Sequence, residues 1–302
     1  MSLRNELRPP LNNISLLGTS YNWATWYTQM QLGAAAIHSA NSDLLVYLSG
    51  LDGDTTLGPV VQATPLTPGQ NTFDRDDFAP NFAGKLVLEL HVYWNIEGAL
   101  SGGNIESLST TCDPLNTYLD KAGFSTLTNT SDRSRTQYPM VLTEFGFDQS
   151  PSQLASLLTT TTNGNSATGY AQCLFAYLRD RQVPGWMLWP LSGSYYIREG
   201  ERDADEPWGL LTHDWSGWRA DQFINEVVRP AVQDTLKRAG KKPLTSESSG
   251  AGAGDGGTAG GSAEDGSNGD GKSWGNICKG QLDFAMLLGI AAAIAASNML
   301  MR

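Results

Sequence analysis

The chain has 302 residues and a formal net charge of -11, with 40% hydrophobic and 17% charged residues. That is ordinary globular composition, long enough for one large domain, and its negative balance argues against nucleic acid as a partner because a polyanion repels such a surface. Three cysteines, Cys112, Cys173 and Cys278, exclude a disulfide-stapled scaffold and a closely spaced zinc site but permit one bridge, Cys112 to Cys173.

In chain order, the first stretch is Ser2 to Arg8, which sets Glu6 after an apolar residue and the pair Arg4-Asn5. It reads as a strand that Pro9 and Pro10 stop. No apolar signal-peptide core follows Met1. Trp23, Tyr27, Met30, Ala34 and Ile37 recur at helical spacing, predicting an amphipathic helix from Asn22 to Ala40 with His38 at its end. Asp43 to Ser49 reads as a buried strand, and the Asp52-Gly53-Asp54 loop after it as turn chemistry.

Lys85 to Trp94 is a near-continuous apolar run closed by His91, Tyr93 and Trp94, the pattern of a strand buried on both faces. A helix follows around Pro114 to Ala122. Val141 to Phe147 then carries Glu144 at the end of a short apolar run, with Gly146 free to turn the backbone at once. Ala155 to Arg181 reads as helical apart from a polar Thr/Asn/Gly interruption. Pro184 to Pro190 is the next strand, with Trp189 at its end; a long polar and aromatic loop and a last helix, Asp221 to Lys237, close the globular part.

Five strands alternate with helices, and polar or aromatic groups stand repeatedly at strand carboxyl ends, where barrels and doubly wound sheets bind ligands. Most of the 9 Trp and 10 Tyr belong in a core, although such rings also fit sugar faces. Two glutamates on different strand ends can flank one bond. In a retaining glycosidase their carboxyl groups stand about 5 to 5.5 Å apart, one as nucleophile and one as acid/base.

Thr245 to Lys272 holds ten glycines in 28 residues and reads as a flexible spacer; Phe284 to Met301 is an 18-residue stretch without a charge. A small-residue region, a polar spacer and an apolar tail match a GPI-attachment signal, with Ser267, Asn268 or Gly269 as attachment sites; a transmembrane helix is the rival reading. Sequons stand at Asn13 and Asn129.

Leu3-Arg-Asn-Glu6, His91-Val-Tyr93, Thr143-Glu-Phe-Gly146 and Trp186-Met-Leu-Trp189 together resemble glycoside hydrolase family 5, the cellulase-like retaining β-glycosidases. The resemblance implies an α/β fold, a (β/α)8 TIM barrel of which the strand 4 to strand 8 portion is present. Glu6 would be the acid/base and Glu144 the nucleophile. Asn5 would bond the sugar 2-OH, His91 and Tyr93 would support the site, and Trp189 would form a sugar platform. Strands one to three of the family have no counterpart, so the expectation is an N-terminally truncated barrel with unpaired edges. The domains expected are a catalytic one over residues 1–240, a disordered linker over 241–281 and a hydrophobic attachment signal over 282–302. The partner expected is a polysaccharide or oligosaccharide substrate of β-glucan type, with no cofactor and no metal. The complete protein would be a monomer held at the extracellular cell surface through its C-terminal tail. The rival function is a glycan-binding relative that no longer catalyses.

Overall fold

The computed structural model describes residues 1–16, 18–78, 83–93, 112–124, 138–158, 160–162, 165–167 and 169–241. Trp94, the Asn129 sequon, Cys278, the Gly-rich stretch from Thr245 and the apolar tail from Phe284 lie outside them. Among the described residues no helix is long and apolar enough to cross a membrane.

The predicted first helix is α1 (Trp23–Ala40), capped by Asn22, whose side-chain oxygen accepts from the Thr25 amide at 2.8 Å. It buries Trp26, Tyr27, Met30 and Ala34, and the Trp26 indole donates to the Ser49 carbonyl at 2.8 Å. That bond fastens the helix to β1 (Val46–Ser49), a strand three residues shorter than the sequence pattern predicts. A short helix α2 (Gly58–Val61) precedes β2 (Leu86–Tyr93); α3 (Asp113–Ala122) then leads to β3 (Met140–Gly146).

The segment expected to be helical from Ala155 is instead α4 (Pro151–Leu157), a two-stranded antiparallel ladder of β4 (Thr160–Thr162) and β5 (Asn165–Ala167), and α5 (Tyr170–Asp180). β-Branched threonines suit the ladder better than a helix. β6 (Trp186–Leu188) follows. The expected long loop is also a hairpin, β7 (Ser194–Arg198) paired with β8 (Glu201–Asp205). The last helix runs as α6 (Asp221–Phe223), a π-helical stretch (Ile224–Val228) and α7 (Arg229–Arg238). Pro230, which lacks an N–H, falls just after the π turn.

The main sheet has the order β1-β2-β3-β6, every pair parallel, so successive strands are neighbours and no reversal of strand order creates a switch point. The N-terminal segment is not the full strand expected. It joins β1 through a single parallel bridge, Ser2 to Tyr47, with Tyr47 donating to the Met1 carbonyl and Leu3 donating to the Tyr47 carbonyl. Proline at positions 9 and 10 removes further donors. Among the described residues the sheet is therefore open rather than a closed barrel.

The two faces of β2 carry different cargo. Leu86, Leu88, Leu90 and Val92 join the main core under the helices, while Val87 packs with Val141 on the opposite face. By alternation Glu89, His91 and Tyr93 share the face of Val87. The core is tied by a disulfide between Cys112, at the start of α3, and the fully buried Cys173 of α5, with a Cα–Cα distance of 5.4 Å. The bridge that the sequence permits is thus formed.

Candidate active site

A register shift aims the site. Leu90 pairs with Leu142, but His91 pairs with Glu144, so β3 slips by one residue at Thr143. Simple alternation would send Glu144 to the face of Leu142, toward the helices. The bulge instead sets it opposite His91, a use of bulges typical of sites that must re-aim one side chain. Phe145 then returns to the core with Val92, and Tyr93 meets Gly146.

The Tyr93 hydroxyl donates to Glu144 Oε1 at 2.5 Å. Burial first, and the Glu144 carboxylate second, push the Tyr93 phenol well above its ordinary value, so it remains a neutral donor. His91 is buried. Its Nδ1 lies 3.3 Å from Glu6 Oε1 and 3.8 Å from Glu144 Oε2. One atom each from Glu6, His91 and Glu144 lie within 4.8 Å of one another. The Glu6 side chain is 16% exposed and that of Glu144 is 24%, so both carboxylates are largely shielded from bulk water yet still accessible.

Arg8 donates to Glu6 Oε2 from a mostly exposed side chain, which limits that pair to about 1 kcal/mol or less. Arg8 also borders an open cleft of about 640 Å³ between the N-terminal segment, the loop after β1 and α3, lined by Pro9, Asn12, Thr55 and Tyr118. The two carboxylates and His91 are the one set among the described residues whose atoms could hold a cation. Arg8 already supplies a positive charge there, and an ion bound at about 2.0–2.2 Å would have to displace it and Tyr93.

Asn5, expected to bond substrate, stands exposed beside Glu6 and takes no part in this network. Trp189 is half-buried just past β6. Its amide donates to the Phe145 carbonyl at 2.7 Å, and its ring meets Tyr93 edge-on at 6.2 Å. Trp208 meets Tyr93 from another side at 5.6 Å. Gly146 makes this closeness possible, because a Cβ there would lie 2.3 Å from the Trp189 carbonyl oxygen.

Three acids that sequence reasoning passed over hold the surroundings. The fully buried Glu206 accepts from the Trp208 amide at 3.0 Å, from the Tyr195 hydroxyl at 2.7 Å and from Arg198, whose guanidinium stands 5.8 Å over the Trp189 ring. The buried Asp54 accepts from the Glu6 amide at 2.6 Å. Its aspartate-glycine surroundings signalled only a turn. Glu89, on the site face of β2, accepts from the Ser2 hydroxyl, and burial raises its carboxyl above the ordinary range.

A parallel α/β sheet that gathers two carboxylates, a histidine and a tyrosine at its strand carboxyl ends defines a protein with a paired-acid site. No protein-family model matches the sequence. A "Glycosyl hydrolase 5 family protein" of Chamaecyparis obtusa is 32% identical over 242 residues, 78% of this chain and 36% of that relative. The chain is thus similar to a member of glycoside hydrolase family 5, and it spans about a third of that relative's length.

Similar solved structures include a β-glucanase of Saccharophagus degradans, at 14% identity over 74% of this chain and 52% of that one, with a TM-score of 0.46. The catalytic domain of the major endoglucanase of Xanthomonas campestris pv. campestris aligns at 16% identity over 74% and 54%, TM-score 0.43. An endocellulase of Pyrococcus horikoshii in complex with cellotetraose aligns at 14% over 72% and 50%, TM-score 0.43.

Proposed function

We propose that the protein is a glycoside hydrolase that cleaves β-glucan-type polysaccharides by a retaining double displacement, on the C-terminal portion of a (β/α)8 barrel. The observation that carries this reading is the convergence of Glu6 and Glu144, with His91, inside 4.8 Å. That closeness favours a retaining pair, whose carboxyl groups stand about 5 to 5.5 Å apart, over an inverting pair, whose acids stand about 6.5 to 9.5 Å apart. The likeness to the Chamaecyparis obtusa relative, and that relative's name, support it.

Glu144, held by the neutral Tyr93 donor, attacks the anomeric carbon as the leaving oxygen departs, giving a glycosyl-enzyme. Glu6 protonates that oxygen and then deprotonates the water that releases the sugar. Trp189 floors the subsite at Glu144, Asn5 bonds the 2-OH, and the cleft beside Arg8 receives the leaving portion. The linker and the apolar stretch Phe284 to Met301 we read as attachment to the outer cell surface, by a GPI anchor, for which release by a phosphatidylinositol-specific phospholipase is the test.

Catalysis is tested with two variants. Glu144→Gln should abolish turnover of both a cello-oligosaccharide and a dinitrophenyl cellobioside. Glu6→Ala should lose the oligosaccharide but retain glycosylation by the activated aryl glycoside, whose phenolate leaves unprotonated. Glu144→Gln activity within a few-fold of wild type would overturn the assignment.

A further inference from the structure

Glu6 sits in a backbone conformation that a glutamate rarely adopts, with φ at +46°. For a residue bearing a Cβ, this left-handed geometry is unfavourable and persists only where neighbours impose it. The neighbour here is Asp54, 48 residues along the chain. Its Oδ2 accepts from the Glu6 amide at 2.6 Å and its Oδ1 from the Leu7 amide at 3.4 Å, with the side chain 1% exposed. The same residue reaches β2: its main-chain carbonyl accepts from the His91 amide at 2.8 Å, and Oδ2 lies 3.9 Å from His91 Nε2. One buried carboxylate thus joins the segment that bears Glu6 to the strand that bears His91.

We propose that Asp54 is the positioning residue of Glu6: it fastens the left-handed turn and so fixes the aim of the Glu6 carboxyl group at the leaving oxygen. This rests on the reading of Glu6 as acid/base. The N-terminal segment makes one β-bridge to the sheet, and its other backbone ties, the Ser49 hydroxyl donating to the Arg4 carbonyl and the Gly53 amide donating to the Leu7 carbonyl, both at 2.8 Å, hold residues on either side of Glu6 and not Glu6 itself. Two amides held by one carboxylate fix Glu6, because charge-assisted bonds are both short and directional. The groups that face Asp54 are Glu6 and Arg8 from the N-terminal segment, Ser49 from β1, and Glu89 and His91 from β2. A turn-forming aspartate with no further role would be replaceable by asparagine, which tolerates the same φ of +61°.

The test compares Asp54→Asn with Asp52→Asn in the full chain. Asp52 lies in the same loop, is also left-handed at φ +56°, and bonds Tyr21 rather than Glu6. In the Asp54→Asn variant one amide loses its acceptor and meets an NH2 group instead. The expected result for Asp54→Asn is a kcat on cello-oligosaccharide reduced about tenfold to a hundredfold with KM little changed, and a much smaller loss in kcat/KM, which reports glycosylation, on dinitrophenyl cellobioside. In NMR spectra the Glu6 amide proton, downfield in the wild type because of its carboxylate partner, should move upfield. Asp52→Asn should leave the Glu6 amide unmoved. Equal losses on both substrates, or an unmoved Glu6 amide, would overturn the proposal. If the wild type cleaves neither substrate, the glycosidase reading falls, and the Glu6 amide shift still decides whether Asp54 holds Glu6.

Discussion

Replacing Gly146 by alanine should show how tightly the surroundings of Glu144 are built. The added Cβ would stand 2.3 Å from the Trp189 carbonyl oxygen, 3.2 Å from the Trp208 ring and 3.3 Å from the Tyr93 ring. An ordinary contact needs about 3.4 Å or more, so main chain must move by about 1 Å, and the obstacle is a carbonyl rather than a flexible side-chain tip. The Trp189 amide is bonded to the Phe145 carbonyl, one residue before Gly146, so a shift there opens the ladder between β3 and β6 beside Glu144. Overpacking of this kind costs about 1–3 kcal/mol of stability. A misplacement of about 1 Å in a catalytic constellation costs about a hundredfold in rate. The assay is a urea titration together with kcat/KM on an aryl cellobioside. If Gly146→Ala stays within threefold in kcat/KM and unfolds at the wild-type urea concentration, the packing argument is wrong.

Tyr93→Phe removes a hydrogen bond to a carboxylate, worth about 1.5–3 kcal/mol, so kcat/KM should fall about 10-fold to 150-fold; a loss under twofold would refute the role. Serine at both Cys112 and Cys173 opens a loop whose ends are 61 residues apart, for which chain entropy gives a loss of about 4 kcal/mol; urea unfolding that changes by less than about 1 kcal/mol would refute it. Burial pushes the Asp54 carboxyl up to about 6 from its ordinary 3.8, so the native state binds this proton more tightly than the unfolded chain. This contribution is therefore greatest below about pH 4 and declines by about 3 kcal/mol as pH rises through 6, and a wild-type minus Asp54→Asn stability difference that stays flat across that range would refute it.

The helices and central strands were legible because their burial is periodic. α1 begins after its Asn22 cap, and β2 reads as a strand because both of its faces are covered. Elements whose reason lies elsewhere in the chain were not legible. The hairpin β7–β8 is rich in charge, and its fold depends on Arg198 and Tyr195 reaching the buried Glu206. The polar stretch before α5 reads as a break in a helix, because threonines and asparagines mark loops and short ladders alike. At the other end, an apolar Leu3 and a following proline pair suggested a strand where the backbone makes one bridge.

The site shows the same division more sharply. Glu6, Glu144, His91 and Tyr93 could each be named because each follows or ends an apolar run, and the fold brings all four together. Their pairing partners could not be named, since the contacts that define the site join Glu6 to His91 across 85 residues and Tyr93 to Glu144 across 51. Period-two alternation through Val141 and Thr143 would even have put Glu144 on the wrong face, and only the one-residue slip at Thr143 corrects it. Asp54 was the most hidden. Its local sequence satisfies every rule for a turn, and its second role exists only once β1, β2 and the N-terminal segment are side by side. The paired acids are consequently a property of the assembled sheet, so a change that loosens the Ser2–Tyr47 bridge should disturb Glu6 before it disturbs Glu144, which β2 and β6 hold from both sides.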